Sequence, residues 1–273
     1  MDGYLHGFDA SEQQRLRDQA VYLSEFVHEG IPLTNCRHLL EIGCGVGAQT
    51  KLLLKKFPEM RITGIDFSDA QLQQARIFLA DELAQGRVTL VQGDARNLPF
   101  SDASFDGAFV CWVLEHLSQP LRVVQEAFRC LQPGAPIVCT EVMNFTLQSS
   151  PVCEALQKYW HALNTRQLQI GGDPNVGLKL GAFLDAAGFR DICTEPLVRF
   201  FDRRAPQERA AFLDYWTSLL ASAEADLVSA GSIAPGDYAR VSAEMDQLKA
   251  DPESIYFYTA MRGVGFVPQS VLR

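Results

Sequence analysis

The run Leu39-Leu-Glu-Ile-Gly-Cys-Gly-Val-Gly47 constrains this chain more than any other stretch of it. An apolar strand breaks on glycine, and a helical segment, Gln49 to Phe57, follows at once and stops at Pro58. Glycine has no Cβ and tolerates positive φ, so such a turn lets the backbone come close to a ligand at the end of a strand. Dinucleotide-binding turns space their glycines as G-x-G-x-x-G. Here the third glycine comes one position early, at Gly47, and Ala48 fills the place that fingerprint reserves for glycine.

Strands and helices alternate from about residue 37 to residue 142, the pattern of a parallel sheet covered by helices on both faces. Expected strands are 38–42, 61–65, 88–91, 107–111 and 137–142, with helices over 69–83, capped by Ser68, and 121–131. Beyond Val142 the rhythm is lost. Two helical stretches, about 143–175 and 204–252, are expected as lid insertions, with a helix over 177–188 and strands at 191–201 and 254–263 between and after them. Residues 11–27 form an amphipathic helix in a helical N-terminal segment, 1–35, that is expected to precede the main domain, 36–273.

A net charge of −9 disfavours general affinity for nucleic acid, which needs clustered cations. No leader-like start and no apolar run of membrane-spanning length is present, so the expectation is a cytoplasmic protein without a membrane partner. The seven cysteines form no C-x-x-C pair and are expected as reduced thiols, with no metal site. A homodimer is left open.

Two aspartates turn the glycine loop into a constellation. Asp66 follows the second strand, where a carboxylate can accept hydrogen bonds from both hydroxyls of a ribose, and Phe67 offers a ring to adenine. Asp94, with Gly93 and Ala95 at the end of the third strand, is placed for an adenine amine and ring nitrogen. The early glycine and the acidic Glu41 favour S-adenosylmethionine (SAM), which has no pyrophosphate to hold; Gly43 and Gly45 would face its methionine and ribose parts. Glu41 would bind its amino group directly or through water.

With Gly64-Ile-Asp-Phe-Ser68, Gln92-Gly-Asp-Ala95, Leu98-Pro-Phe100, Val113-Leu-Glu-His-Leu117 and Leu131-Gln-Pro-Gly134 added, residues 37–142 resemble a class I SAM-dependent methyltransferase of the group that includes ubiquinone and menaquinone biosynthetic enzymes. The resemblance implies a Rossmann-like α/β fold with seven strands in the order 3-2-1-4-5-7-6, the last antiparallel, and SAM converted to S-adenosylhomocysteine. It implies cofactor contacts from Cys111, Trp112 and His116. The N-terminal stretch resembles a smaller subset in which this segment folds over the cofactor, implying that Tyr4, Arg15 and Gln19 reach its methionine end; a solvated helix face is the plainer alternative for Arg15 and Gln19.

For chemistry, Glu141 is expected to open into the acceptor pocket as base or ammonium anchor, Asn144 to read a polar group, and His161 to act as base. Tyr4 is also a candidate there, and Asn164, Asn175 and Tyr258 are weaker ones. Glu115 and His116 read as structural or cofactor-adjacent. The acceptor implied is a small polar metabolite, heterocyclic or amine-bearing, with N-methylation favoured over O-methylation. The alternatives are C-methylation of an activated ring and a SAM-binding protein that transfers no methyl group.

Overall fold

The computed structural model describes Gly7 and residues 10–269. Two helices, α1 (Ala10–Tyr22) and α2 (Ser24–His28), precede the alternating unit. That unit runs β1 (His38–Ile42), α3 (Ala48–Lys56), β2 (Arg61–Asp66), α4 (Asp69–Phe78), α5 (Ala80–Ala84), β3 (Val88–Gln92), β4 (Gly107–Cys111), α6 (Pro120–Cys130) and β5 (Pro136–Val142). Then come β6 (Gln148–Ser150), α7 (Glu154–Gln169), α8 (Leu180–Ala187), β7 (Arg190–Phe201), α9 (Pro206–Ser229), α10 (Asp237–Ala250) and β8 (Ile255–Phe266).

Strands β1 to β5 pair in parallel in the spatial order 3-2-1-4-5, and β8 continues the sheet antiparallel to β5, from Pro136↔Phe266 to Val142↔Ala260. β7 lies on the far side of β8, so the two late strands take the last two places as expected. One strand was not anticipated. The three residues of β6 pair with Ile255–Phe257 beyond the end of β5, which makes the sheet eight-stranded and moves the two late strands up by one in chain order.

Alternation along the inner strands assigns side chains to two cores. Leu39, Phe109 and Val138 point to the face covered by α3 and the inserted helices, whereas Leu40, Val110 and Ile137 point to the face covered by α6 and α8. Ser68 caps α4 by accepting a hydrogen bond from the Gln71 amide at 3.3 Å. The helix expected over 69–83 breaks at Leu79, a buried side chain that turns in to pack over Gly47, where an added Cβ would come within 2.5 Å of Leu79 Cδ1. Likewise 11–27 divides into α1 and α2 at Leu23.

The inserted helices α7, α9 and α10 pack on one another, and α7 and α9 stand with α1 over the carboxyl ends of β1, β2, β4 and β5. A doubly wound sheet binds ligands there, where the strand order reverses between β1 and β4. Among the described residues no helix is long and apolar enough to cross a membrane. All seven cysteines are free, six of them wholly or partly buried and Cys193 exposed.

Candidate active site

A cavity of about 350 Å³ opens between the strand ends and the inserted helices. Its floor is the glycine loop. Gly43 and Gly45 both adopt positive φ, at 73° and 51°. A Cβ on Gly43 would collide with Val113 Cγ2 at 2.3 Å, whereas one on Gly45 would meet no atom within 4 Å and would project into free space. The first glycine therefore lets the chain pack on itself, and the second leaves room for something else.

Asp66 anchors the loop. Its Oδ2 accepts from the Gly45 amide and its Oδ1 from the Ser68 amide, both at 2.8 Å. Each carboxylate oxygen has a second lone pair, so both retain capacity for a ligand hydroxyl. Burial raises its pKa, against the pull of those amides. Phe67 is 59% exposed on the cavity rim. Asp94 and Ala95 are also on the wall, but the Asp94 carboxylate is not open as the sequence suggested: Arg96 Nε and Nη2 each donate to it at 3.0 Å and hold its pKa down.

Glu41 departs from its expected position. It is buried behind the loop rather than on the wall, and accepts from the Thr50 hydroxyl at 2.6 Å. Burial, with Asp66 adding to it, pushes its pKa up to about 8. From α1, Arg15 and Gln19 do reach the wall. Arg15 is forked on Glu12 through Nε and Nη2, both at 2.6 Å, and its Nη1 donates to Gln19 Oε1 at 2.6 Å. It is thus neither a solvated side chain nor an uncommitted cation. Tyr4 lies outside the described residues.

At the end of β4, Cys111, Trp112 and His116 line the cavity. Burial raises the Cys111 thiol well above its ordinary range, which makes it a wall atom rather than a nucleophile. Trp112 has φ 54°, a left-handed conformation that is costly away from glycine and clusters at functional sites. Glu115 Oε1 lies 3.7 Å from His116 Nε2, and Gln167 Nε2 donates to Glu115 Oε2 at 2.9 Å.

Two expected catalytic groups are elsewhere. Glu141 does not open into the cavity: its carboxylate accepts the amides of Val113, Leu114 and Glu115 at 3.0, 2.9 and 3.3 Å, holding the turn after β4. Burial and the neighbouring Glu115 push its pKa up to about 8 against those three amides. His161 is exposed on α7. One residue is about 100° of helix rotation, so with Trp160 turned to the cavity, His161 turns away.

Asn144 lines the cavity. It is buried on the wall, with its Nδ2 donating to Asn164 Oδ1 at 2.8 Å and its Oδ1 accepting from the Tyr258 hydroxyl at 3.1 Å. Trp160 Nε1 donates to its carbonyl at 2.8 Å. Asn175, by contrast, accepts from the Phe145 amide and is off the wall. The sequence reading missed α9, whose Phe212, Tyr215, Trp216 and Leu219 supply the opposite wall, and it missed Gln167 and Arg199. Apolar residues recurring at three- and four-residue intervals on α9 were the available signal.

A family model described as a methyltransferase domain matches residues 40–139. The chain is 36% identical over 127 residues to a demethylmenaquinone methyltransferase of Desulfitobacterium hafniense, covering 46% of this chain and 48% of that one. It is 25% identical over 210 residues to the O-methyltransferase resE of Aspergillus sclerotiorum, covering 75% and 78%. Among solved structures, a phosphoethanolamine N-methyltransferase of Haemonchus contortus, in complex with phosphomonomethylethanolamine and S-adenosylhomocysteine, shares the fold with a TM-score of 0.57 at 19% identity, covering 92% of this chain and 53% of that chain. The chain thus spans about half the length of two of these three proteins. On the matched domain and the loop geometry together, residues 40–139 form a SAM-dependent methyltransferase domain, and SAM is its cofactor.

Proposed function

We propose that the chain methylates a nitrogen of a small ring-bearing metabolite. The observation that carries this reading is the acceptor end of the cavity, walled by Trp160, Phe212, Tyr215, Trp216 and Tyr258 around one oriented amide, Asn144. Flat aromatic walls suit a ring or a cationic nitrogen, and the amide fixes its orientation.

SAM supplies an electrophilic methyl group on a sulfonium. The free space at Gly45 and the Asp66 carboxylate at the end of β2 fit its ribose part: Asp66 would take the ribose hydroxyls, Phe67 and Ala95 the adenine, and Arg15 and Gln19 the methionine carboxylate. Residues 1–35 then serve as a cover over the 36–273 domain, through the α1 side chains on the wall. What the protein contributes to an in-line displacement is alignment of the nucleophile, at about 3–3.5 Å, and exclusion of water. Nitrogen is favoured because Glu141 and His161 are both off the wall, and a neutral amine or heterocyclic nitrogen needs no base to attack.

O-methylation is the second reading, favoured by the His116–Glu115 pair on the wall, which is placed to take a hydroxyl proton. Transfer of labelled methyl from SAM into a metabolite mixture, followed by NMR of the product, separates them. An N-methyl product, and turnover that persists in His116→Asn, is expected. An O-methyl product whose formation needs His116 would replace the first reading with the second, and absence of label in any product would remove both.

A further inference from the structure

Three arginines stand on the cavity wall. Arg15 is forked on Glu12 and Arg96 on Asp94, so each arrives with its counter-charge. Arg199 does not. Among the described residues no carboxylate lies within ion-pairing distance of it and no hydrogen-bond acceptor engages its guanidinium; its partner is the ring of Phe26, with Cζ 4.5 Å from the centroid.

Its place in the fold assigns it to the acceptor end. Arg199 sits directly opposite Tyr258 in the β7–β8 register, so both side chains rise from the same face of the sheet, and the Tyr258 hydroxyl reaches Asn144. Phe26 and Phe212 complete an apolar frame on the same wall. A half-buried cation in such a frame forfeits part of its hydration, and stacking on one ring returns only part of that. In a chain with a net charge of −9, a carboxylate partner would be easy to supply from within. The neighbouring Arg262 on β8 has one, Glu195, together with three backbone carbonyls.

We propose that the counter-charge of Arg199 comes from the methyl acceptor, which carries a carboxylate. The planar guanidinium donates two parallel hydrogen bonds from its edge to the two carboxylate oxygens while Phe26 stacks on its face. The acceptor's ring then extends toward Trp216 and Tyr258, and its nucleophile toward Asn144. This rests on the reading of the aromatic end as the acceptor site.

All three tryptophans, Trp112, Trp160 and Trp216, are on the wall, so intrinsic fluorescence reports occupancy directly. The probes are benzoate, 4-hydroxybenzoate, 2-aminobenzoate, indole-3-carboxylate and pyridine-3-carboxylate, each paired with its methyl ester and primary amide and titrated into protein saturated with S-adenosylhomocysteine. At least one acid is expected to bind tenfold or more tightly than its ester and amide. Arg199→Met is expected to abolish that preference and Arg199→Lys to restore part of it, with S-adenosylhomocysteine affinity unchanged in both. Equal binding of acid and ester, no saturable binding of any acid, or a preference that survives Arg199→Met would overturn the proposal. So would loss of S-adenosylhomocysteine binding in Arg199→Met, which would make Arg199 a cofactor contact. Methyl transfer to a neutral ring acceptor by wild type and Arg199→Met alike would leave the methyltransferase reading standing and remove only this one. Arg199-dependent acid binding without methyl transfer to any acceptor would do the reverse.

Discussion

Glu41 and Glu141 stand near the ends of β1 and β5, which flank β4; both are buried, and they differ in what surrounds them. Three amides converge on Glu141, so its removal strands three buried donors. Glu141→Ala is expected to lose roughly 2–5 kcal/mol of stability in urea unfolding, while Glu141→Gln, which keeps the oxygen facing Val113 and Leu114, loses less and retains most of its turnover. A stable Glu141→Gln protein without turnover would return the residue to a catalytic role. Glu41 has one hydroxyl donor, and burial lifts its pKa from 4.5 to about 8. A carboxyl raised in the folded state holds its proton there and releases it on unfolding. Its stabilising contribution is therefore full below about pH 4.5 and declines as pH rises to about 8. Glu41→Gln removes that decline. Its melting temperature relative to wild type, both without ligand, should rise between pH 5 and pH 8.5, and a constant difference would contradict the assignment. Neither environment was visible in the sequence. A strand-end glutamate advertises its type there, but which way it points depends on neighbours far along the chain. Gly43, Gly45 and Asp66 were legible because their constraints are local: a positive φ, and a carboxylate beside the amides of its own turn.

Elements of the parallel unit declared themselves through period and punctuation, since β1 to β5 are short apolar runs closed by glycine, aspartate or a turn. The three-residue β6, Gln-Ser-Ser, carries no hydrophobic period and exists only because β8 offers it an edge. α9 was legible as a helix, but its role depends on contacts with α1, α7 and α10, which no local pattern encodes. The N-terminal helices α1 and α2 depend on one such contact. Arg262 of β8, buried to 5% exposure, donates to the carbonyls of Phe26, Val27 and Glu29 at the end of α2, where a cation also offsets the helix dipole. Arg262→Met keeps the volume of the stem and removes every one of those bonds. It is expected to cost about 2–4 kcal/mol and to raise protease cleavage within residues 10–35 well before the sheet is attacked. Uniform protection of the two regions would show that α1 and α2 are held by packing alone.

At the scale of the whole molecule, the cavity joins three parts that are far apart in sequence: α1 through Arg15 and Gln19, the strand ends through Asp66 and Trp112, and the inserted helices through Trp160 and Trp216. A ligand filling it binds only the assembled state, so its affinity adds to the stability of all three together. S-adenosylhomocysteine at a hundred times its dissociation constant should contribute about 2.7 kcal/mol, a rise in melting temperature of roughly 5 °C for a chain of this length. NADH at the same concentration should give no rise, because the third glycine of the loop, Gly47, comes one position earlier than in the nicotinamide fingerprint. Asp66→Asn keeps an acceptor oxygen for one loop amide but gives up the carboxylate that would take both ribose hydroxyls. An affinity loss of about 1–3 kcal/mol is expected. A tenfold loss turns a hundredfold excess into a tenfold one and about halves the stabilisation, since the gain grows only as the logarithm of the ligand's excess over its dissociation constant. An undiminished shift in Asp66→Asn would mean that the carboxylate serves the loop alone, and that the ribose is held by other groups.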